Sequence, residues 1–257
     1  MGSIPIDSHD LSDTVIVIQH SERVPPAYLT TFFHNNSIKH IIVHTYQNQL
    51  LPATHNIYAL VILGGPQGAY ETQLYPYLHH EINYIRLCHQ HSIPVLGLCL
   101  GCQLIAVAMG GTAYKTDRYE CGYVKQIGTQ YVRDDPIFSK LFAPDNTNDT
   151  LLMHHSDSYT LPSNIVTLCT TLDNNYNGGF KCNNTYGIQS HPESGIDELQ
   201  QWKLFATESY HSIGLSADEV MNDAISKKYD AHKTTVLFFD LWWTFVQSCH
   251  QTIMVIQ

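Results

Sequence analysis

The sequence predicts an α/β fold with a largely parallel central sheet and helices on both of its faces. Short β-branched or apolar runs alternate with segments of helical periodicity in the first hundred residues. These runs are apolar throughout, which is typical of parallel strands that are buried on both faces. Two glycine-rich corners, at 64–68 and 97–101, each follow such a run. Sheets of this class bind ligands at the carboxyl ends of their strands, so both corners mark a candidate site.

The first half contains the strands of the predicted parallel sheet, which are Thr14–Gln19, His40–Tyr46, Tyr58–Leu63 and Ile93–Leu96. Two consecutive prolines, Pro25 and Pro26, can open a helix over Ala27–His34. A second helix is predicted over 74–90, because apolar residues recur there at helical spacing: Leu74, Leu78, Ile82 and Ile85. A third helix-like run, Gln103–Met109, follows the second glycine corner.

The sequence of the second half of the chain predicts short strands separated by Asn, Asp and Gly turns, with mixed or antiparallel pairing. These strands are Tyr123–Gly128, Tyr131–Arg133, Leu151–His154, Ile165–Thr170 and Phe180–Gln189. A helix is predicted over Ser194–His211. A second is predicted over Ser216–Tyr229, where Ser216 and Glu219 have the spacing of a capping box. The apolar tail from Thr234 to Gln257 is interpreted as an amphipathic helix packed on the domain, with a partner or dimer surface as the alternative.

At 257 residues and 44% hydrophobic composition, the chain is large enough for one domain with a substantial core. Neither an internal repeat nor a disordered linker is evident. We therefore predict an N-terminal tail over 1–13, one domain over 14–212 and a C-terminal helical extension over 213–257.

The formal net charge of −10 and the scarcity of charged residues, 14%, argue against binding to nucleic acid or to an anionic membrane. The nearly uncharged run over 92–115 contains Pro94, Gln103 and several glycines, so we interpret it as a buried strand and helix rather than a membrane span. Seven cysteines at irregular spacing do not suggest a disulfide framework. Since residues 1–13 lack the features of a secretory leader, we predict a reduced, cytoplasmic protein.

Cys99 is the candidate nucleophile. It lies at the centre of a Gly-Leu-Cys-Leu-Gly corner between a predicted strand and a predicted helix. Such a corner presents the central side chain on a tight, strained turn. The start of a helix also favours a thiolate, because its unpaired N–H groups and its dipole attract negative charge. The sequence thus places a sulfur where a nucleophile could form.

His191 is the candidate base. It follows a predicted strand, which Pro192 helps to end. Glu193 is close enough to bond one ring nitrogen and to direct the other nitrogen toward the sulfur. Because the chain has 16 histidines, the spacing of one His from Cys99 is weak evidence by itself.

Taken together, these motifs resemble the class I glutamine amidotransferases. The resemblance rests on residues 97–103 (Gly-Leu-Cys-Leu-Gly-Cys-Gln), on residues 187–193 (Gly-Ile-Gln-Ser-His-Pro-Glu) and on the Gly64–Pro66 corner. It covers roughly residues 14–210 and is strongest toward the free-standing domains akin to the amidotransferase half of GMP synthase. His155-Ser156-Asp157 stands where those proteins carry a His-Gly-Asp turn. The resemblance implies a flavodoxin-like fold.

The resemblance also implies the role of each residue. Cys99 attacks the side-chain amide of glutamine and forms a thioester, His191 passes a proton to the leaving ammonia and later activates water, and Glu193 orients His191. The backbone N–H groups of Gly65 and Leu100 are the expected oxyanion donors. Neither a cofactor nor a metal is implied.

The implied substrate-binding residues are Gln103, Glu120, His155 and Asp157. Two positions depart from the family pattern: Ser156 replaces a glycine, and Ser190 replaces an aromatic residue as in the γ-glutamyl peptidase branch. A glutaminase that hydrolyses glutamine and can pass ammonia to a synthetase-type partner is the favoured interpretation. A γ-glutamyl peptidase that uses the same residues is the first alternative, and a catalytically silent regulatory protein is the second.

Two further interpretations of the cysteines and histidines remain open. Cys99 and Cys102 have the spacing of a redox pair, although no proline separates them and the glycine corners would then have no role. A zinc site could use His154, His155 and the cysteines, but adjacent histidines on a strand point to opposite faces.

Overall fold

The computed structural model describes residues 10–142, 149–171 and 177–256. Within these ranges the strands, labelled β1 to β9 in chain order, are Leu11–Gln19, His40–His44, Ile57–Ile62, Val95–Leu98, Thr112–Gly128, Thr150–Thr160, Val166–Thr171, Asn177–Cys182 and Thr185–Ile188. The α-helices, labelled α1 to α6, are Tyr28–Asn35, Pro76–Gln90, Leu100–Ala108, Phe138–Leu141, Ile196–Ser212 and Ala217–Ile256.

The described strands form one sheet in the order β2-β1-β3-β4-β9-β8-β7-β5-β6. Strands β2, β1, β3, β4 and β9 pair in parallel. Strands β8, β7, β5 and β6 extend the sheet with antiparallel pairs. This arrangement confirms the predicted α/β fold with antiparallel additions in the second half of the chain.

Helices cover both faces of the parallel strands. Side chains of β1 alternate between the two faces, with Ile16 and Ile18 on one and Val15 and Val17 on the other. Helices α2 and α3 cover the first face through Leu78, Ile82, Ile85, Leu104 and Ile105. Helix α1 and the second half of α6 cover the other through Leu29, Phe32, Phe33, Phe238 and Trp242. A smaller cluster joins α5 and the first half of α6 to β5 and β6.

Three predicted strands were wrong in detail. The strand predicted over His40–Tyr46 ends at His44, and Thr45–Gln47 is a 3-10 helix. Tyr131–Arg133 lies inside a 3-10 helix, Gln130–Asp134, which the Thr129 hydroxyl caps by accepting from the Tyr131 N–H. The predicted strand Phe180–Gln189 is two strands, β8 and β9, because the chain reverses at Asn183, which has a φ of 51°. The reversal places β9 next to β4 in the parallel part of the sheet.

Several helix boundaries differ from the prediction by two or three residues, including the starts of α3 at Leu100 and of α5 at Ile196. Two other differences change which residues are buried. Helix α2 begins at Pro76, so Leu74 precedes it and is 66% exposed instead of lying on the apolar face. The predicted helix over 216–229 and the apolar tail form one helix of 40 residues, α6. The second half of this helix is part of the main core, because Phe238, Phe239 and Trp242 are fully buried.

None of the helices in the described ranges has both the length and the apolar character needed to cross a membrane.

Candidate active site

Two predicted site residues and the Gly64–Pro66 corner meet at the carboxyl edge of the parallel strands. Gly64 follows β3, Cys99 follows β4 and His191 follows β9. A Cβ built on Gly64 would lie 2.6 Å from His191 Cε1 and 3.4 Å from Cys99 Cβ, so a glycine is needed at this point. Cys99 and His191 line one cavity of about 470 Å³.

Cys99 occupies a strained corner between β4 and α3. Its φ of 52° lies in the left-handed region, which costs a residue with a side chain about 1–3 kcal/mol. The Cys99 N–H donates to the Ile188 carbonyl of β9, and the Cys99 carbonyl accepts from the Gln103 N–H in α3. A Cβ on Gly101 would lie 2.2 Å from the Ile62 carbonyl oxygen, so only glycine allows α3 to approach β3 this closely.

His191 is held by one ring nitrogen, by the packing of its ring and by its backbone N–H. Its Nδ1 lies 2.8 Å from Glu193 Oε1, and both side chains are almost completely buried. The His191 N–H donates to the Leu152 carbonyl of β6 over 2.7 Å. The ring also packs against Trp202, with 4.9 Å between the ring centres. These contacts leave Nε2 as the nitrogen that is available to the cavity.

The electrostatic environment of His191 favours its protonated form. Burial alone lowers its pKa, but the charge interactions and hydrogen bonds with Cys99 and Glu193 outweigh burial and raise the pKa to about 10. This shift favours the protonated form of His191 at neutral pH.

Two residues whose backbone N–H groups are unpaired within the described ranges line the same cavity. Gly65 and Leu100 both line it beside Cys99, and a Cβ on Gly65 would lie 2.8 Å from Leu100 Cδ2. Neither N–H donates a hydrogen bond to any residue that the structure describes. Leu100 is the first residue of α3, so its N–H lacks a helical partner by geometry.

The structure brings together three of the four predicted substrate-binding residues. Gln103, His155 and Asp157 line the cavity, and burial raises the pKa of the Asp157 carboxyl. Glu120 is absent from the lining and lies behind His155, with Glu120 Oε2 3.0 Å from His155 Nε2. Any effect of Glu120 on a ligand therefore passes through His155.

Other residues of the cavity were missed by sequence reasoning. They come from the loop after β1, from β5 and β6 and from α5, and include Arg23, Tyr119, His154, Trp202 and Phe205. The Arg23 guanidinium lies 3.9 Å from the centre of the Phe205 ring. The Trp202 Nε1–H donates to the Arg23 carbonyl over 2.7 Å, which ties α5 to the loop. No local motif marks these residues, because only the tertiary fold brings them together.

His154 and His155 both line the cavity, but their side chains have different partners. His154 lies within 3.0 Å of the Tyr119 and Tyr210 hydroxyls, whereas His155 contacts Glu120. Among the described residues, no group of three or more His, Cys, Asp or Glu side chains could hold a metal ion.

The environment of His154 predicts an acid-dependent loss of stability. Burial, together with the charge of His191, lowers the pKa of His154 to about 3. Below about pH 6.5 His154 is protonated in the unfolded chain but stays neutral in the folded chain. Through this residue, the free energy of unfolding therefore falls by about 1.4 kcal/mol per pH unit as the pH falls toward 3. Urea unfolding at pH 6.5, 5.5 and 4.5 should therefore show a shallower acid loss for His154→Gln than for the wild type. His79→Gln, at an exposed histidine, is the control and should keep the wild-type slope. Equal slopes in all three proteins would contradict the assignment.

The family comparison agrees with this geometry. The sequence model of the class-I glutamine amidotransferase family matches residues 24–207, which is more than half of the chain. The chain belongs to this family. The matched region contains both glycine corners, Cys99 and His191.

Two relatives illustrate the range of this amidotransferase family. A glutamine-hydrolysing GMP synthase of Flavobacterium psychrophilum is 32% identical over 146 residues, which are 56% of this chain and 26% of the synthase. A glutamine amidotransferase-like protein of Acanthamoeba polyphaga mimivirus is 29% identical over 171 residues, which are 66% of this chain and 74% of the viral protein. The chain thus spans about a quarter of the GMP synthase that it matches.

Solved structures show the same fold. A glutamine amidotransferase from Thermotoga maritima superposes with a TM-score of 0.77 at 22% identity, covering 93% of this chain and 99% of the other. A glutamine amidotransferase from Methylobacillus flagellatus gives a TM-score of 0.79 at 21% identity, covering 91% and 95%. At these identities the superpositions bear on the architecture alone.

Proposed function

We propose that this amidotransferase hydrolyses the γ-amide of glutamine through a thioester on Cys99. The observation that carries the proposal is one cavity lined by Cys99, His191, Gly65 and Leu100, with Glu193 bonded to His191 behind the cavity wall. The Gly65 and Leu100 N–H groups have no partner among the described residues. Nucleophile, base, orienting carboxylate and oxyanion donors are the parts that acyl transfer requires.

In the proposed reaction, the Cys99 sulfur bonds to the amide carbon, and the carbonyl oxygen becomes an oxyanion between the Gly65 and Leu100 N–H groups. His191 gives its proton to the amide nitrogen, the carbon–nitrogen bond breaks and ammonia leaves. His191 then removes a proton from water, which attacks the thioester carbon. Glutamate departs, and the sulfur recovers its initial state. Glu193 keeps the His191 ring oriented throughout.

The polar residues of the cavity are proposed to hold the glutamyl part of the substrate. The Asp157 carboxyl, near Tyr70, is suited to an α-ammonium group. Gln103 is buried and donates to the Asp157 carbonyl over 3.3 Å, so it holds this wall of the cavity in place. His155 lines the same wall, and Glu120 is a positioning residue behind it.

A γ-glutamyl peptide is the second candidate substrate, and the position of Trp202 favours it. His191 protonates the leaving nitrogen, and its ring packs on Trp202, so a substituent on that nitrogen would extend toward Trp202, Phe205 and Arg23. A cavity of about 470 Å³ has room for such a substituent. Arg23 makes no ion pair with any described residue and could receive a carboxylate there.

A synthetase-type protein that accepts the ammonia is the proposed partner. The support is that the match covers only 26% of the glutamine-hydrolysing GMP synthase. About three quarters of that synthase therefore has no counterpart in the matched segment, and a separate protein would have to supply that part.

The test measures ammonia release from glutamine and amine release from γ-glutamyl dipeptides with the same purified protein. A higher kcat/KM for glutamine supports the glutaminase, and a higher value for a dipeptide supports the peptidase. If neither substrate is turned over, alone or with a candidate synthetase added, the proposed hydrolysis is refuted and the catalytically silent alternative is favoured.

Arg23→Gln distinguishes the two substrates within one active site. We expect KM for a γ-glutamyl dipeptide to rise about fivefold to tenfold, because a carboxylate loses a charged partner at the cavity rim, while KM for glutamine stays unchanged. Steady-state kinetics with both substrates measures the effect. Arg118→Gln is the matched control, since Arg118 is exposed and does not line the cavity. Equal changes for both substrates would refute a leaving-group role for Arg23.

A further inference from the structure

A second buried histidine–glutamate pair lies behind the Gly64–Gly65 corner. His20 follows β1, and its Nε2 lies 2.8 Å from Glu81 Oε2 on α2. His20 Nδ1 lies 3.2 Å from the Gly64 carbonyl oxygen. Both side chains are almost completely buried, and neither lines the active-site cavity. The proposed chemistry uses neither of them directly.

The partners of His20 determine its protonation. Both the Gly64 carbonyl and the Glu81 carboxylate are acceptors, so the ring forms the two bonds only when each nitrogen carries a proton. Burial lowers the pKa of His20, but the Glu81 charge and the hydrogen bonds outweigh it and raise the pKa above its ordinary value. A positive charge is thus held against the carbonyl side of the Gly64–Gly65 peptide.

The contact between His20 and the Gly64 carbonyl also fixes the direction of the Gly65 N–H, because both groups belong to one trans peptide. The carbonyl and the N–H of one peptide point in opposite directions, and no cis peptide occurs among the described residues. Because the Gly64 carbonyl points toward His20, the Gly65 N–H must point away from His20. Gly65 lines the cavity beside Cys99 and Leu100, and its N–H has no described partner.

We infer that His20, held by Glu81, is a positioning residue that locks the Gly64–Gly65 peptide with its N–H directed at the oxyanion. This inference rests on the proposed function, because the oxyanion forms only if Cys99 attacks a carbonyl. A hydrogen bond to the Gly64 carbonyl also polarises the shared peptide and strengthens its N–H as a donor. Gln67 supports the arrangement by donating to the His20 carbonyl over 3.2 Å.

Two substitutions separate the two bonds of His20. The amide nitrogen of Asn reaches the place of Nδ1, so His20→Asn keeps a donor for Gly64. The amide nitrogen of Gln reaches the place of Nε2, so His20→Gln keeps a donor for Glu81 alone. We expect His20→Gln to lower kcat at least about tenfold with KM changed less than about twofold, because an oxyanion donor acts in the transition state. His20→Asn should stay within about threefold of the wild-type kcat.

Kinetic and structural readouts together decide the outcome. Crystal structures should show the Gly64 carbonyl turned toward the cavity in His20→Gln and in its wild-type orientation in His20→Asn. The exposed His80→Gln should match the wild type in both readouts. Equal losses in the two His20 variants, a rise in KM alone or an unchanged peptide in His20→Gln would overturn the inference.

One further variant and one structural readout distinguish a failure of this inference from a folding defect and from a failure of the proposed function. If neither His20 variant folds, Glu81→Gln decides, since it retains hydrogen-bonding atoms but removes the charge. A kcat at least threefold below wild type at unchanged KM supports the inference, and a wild-type kcat refutes it. If the wild type hydrolyses no γ-glutamyl amide, the proposed function fails, while the peptide orientation in His20→Gln still shows whether His20 holds the corner.

Discussion

Replacing Cys99 with alanine is expected to abolish γ-glutamyl amide hydrolysis, with kcat falling about 10⁴-fold or more. The loss is large because no thioester can form without the sulfur, and water would have to attack the amide directly. The fold should survive, since Cys99 contributes little to the core beyond its backbone bonds to Ile188 and Gln103. Ammonia or amine release measures the effect, and trapping of a labelled glutamyl group on the wild type, absent in the variant, confirms the intermediate.

Cys102→Ala is the matched control for Cys99→Ala. Cys102 is fully buried on the first turn of α3, and burial raises the pKa of its thiol well above the ordinary value. A protonated thiol in the core has no part in the proposed chemistry, so Cys102→Ala should keep most of the wild-type kcat. Equal loss of activity in the two variants would instead favour the redox pair.

The parallel half of the fold could be predicted because its signals are local. The run over Val15–Ile18 is β-branched and buried, and the strand that contains it pairs as expected. The first part of β5 was missed, because residues 112–120 are polar and largely exposed and become a strand through pairing with β6. The continuity of α6 was also missed. The predicted helix over 216–229 and the predicted tail helix over 234–257 left residues 230–233 unassigned, but Ala231 and Thr234 are buried in one continuous helix.

The residues of the candidate site also fall into two groups: those that a local motif predicts and those that only a tertiary contact reveals. Cys99 and His191 lie in compact motifs, each at the end of one strand, so sequence reasoning could propose them. His20 and Trp202 carry no motif of their own, and each reaches the site only because β1 lies beside β3 or α5 packs on β6. Residues that act through a neighbour, such as Glu120 behind His155, can be placed only when the tertiary contact is known.

Helix α6 is joined to both the core and the proposed catalytic segment. Its second half buries Phe238, Phe239 and Trp242 against the sheet face that α1 also covers. The Thr235 hydroxyl donates to the Pro192 carbonyl over 3.0 Å, between His191 and Glu193. The predicted extension over 213–257 therefore contributes to the fold of residues 14–212, and we propose that the two segments form one cooperative unit.

Trp242→Ala should lower the free energy of unfolding by about 3–5 kcal/mol, because a fully buried indole leaves a large cavity when it is truncated. Urea unfolding measures this loss. Tyr229→Ala on the same helix is the control: Tyr229 is 71% exposed, so its truncation should change stability by less than about 0.5 kcal/mol. Removing residues 213–257 exposes the part of this apolar face that α6 covers and should leave a chain without a cooperative unfolding transition. If that truncated chain unfolds cooperatively at the wild-type urea midpoint, α6 does not belong to the cooperative unit and the remaining residues form a stable core without it.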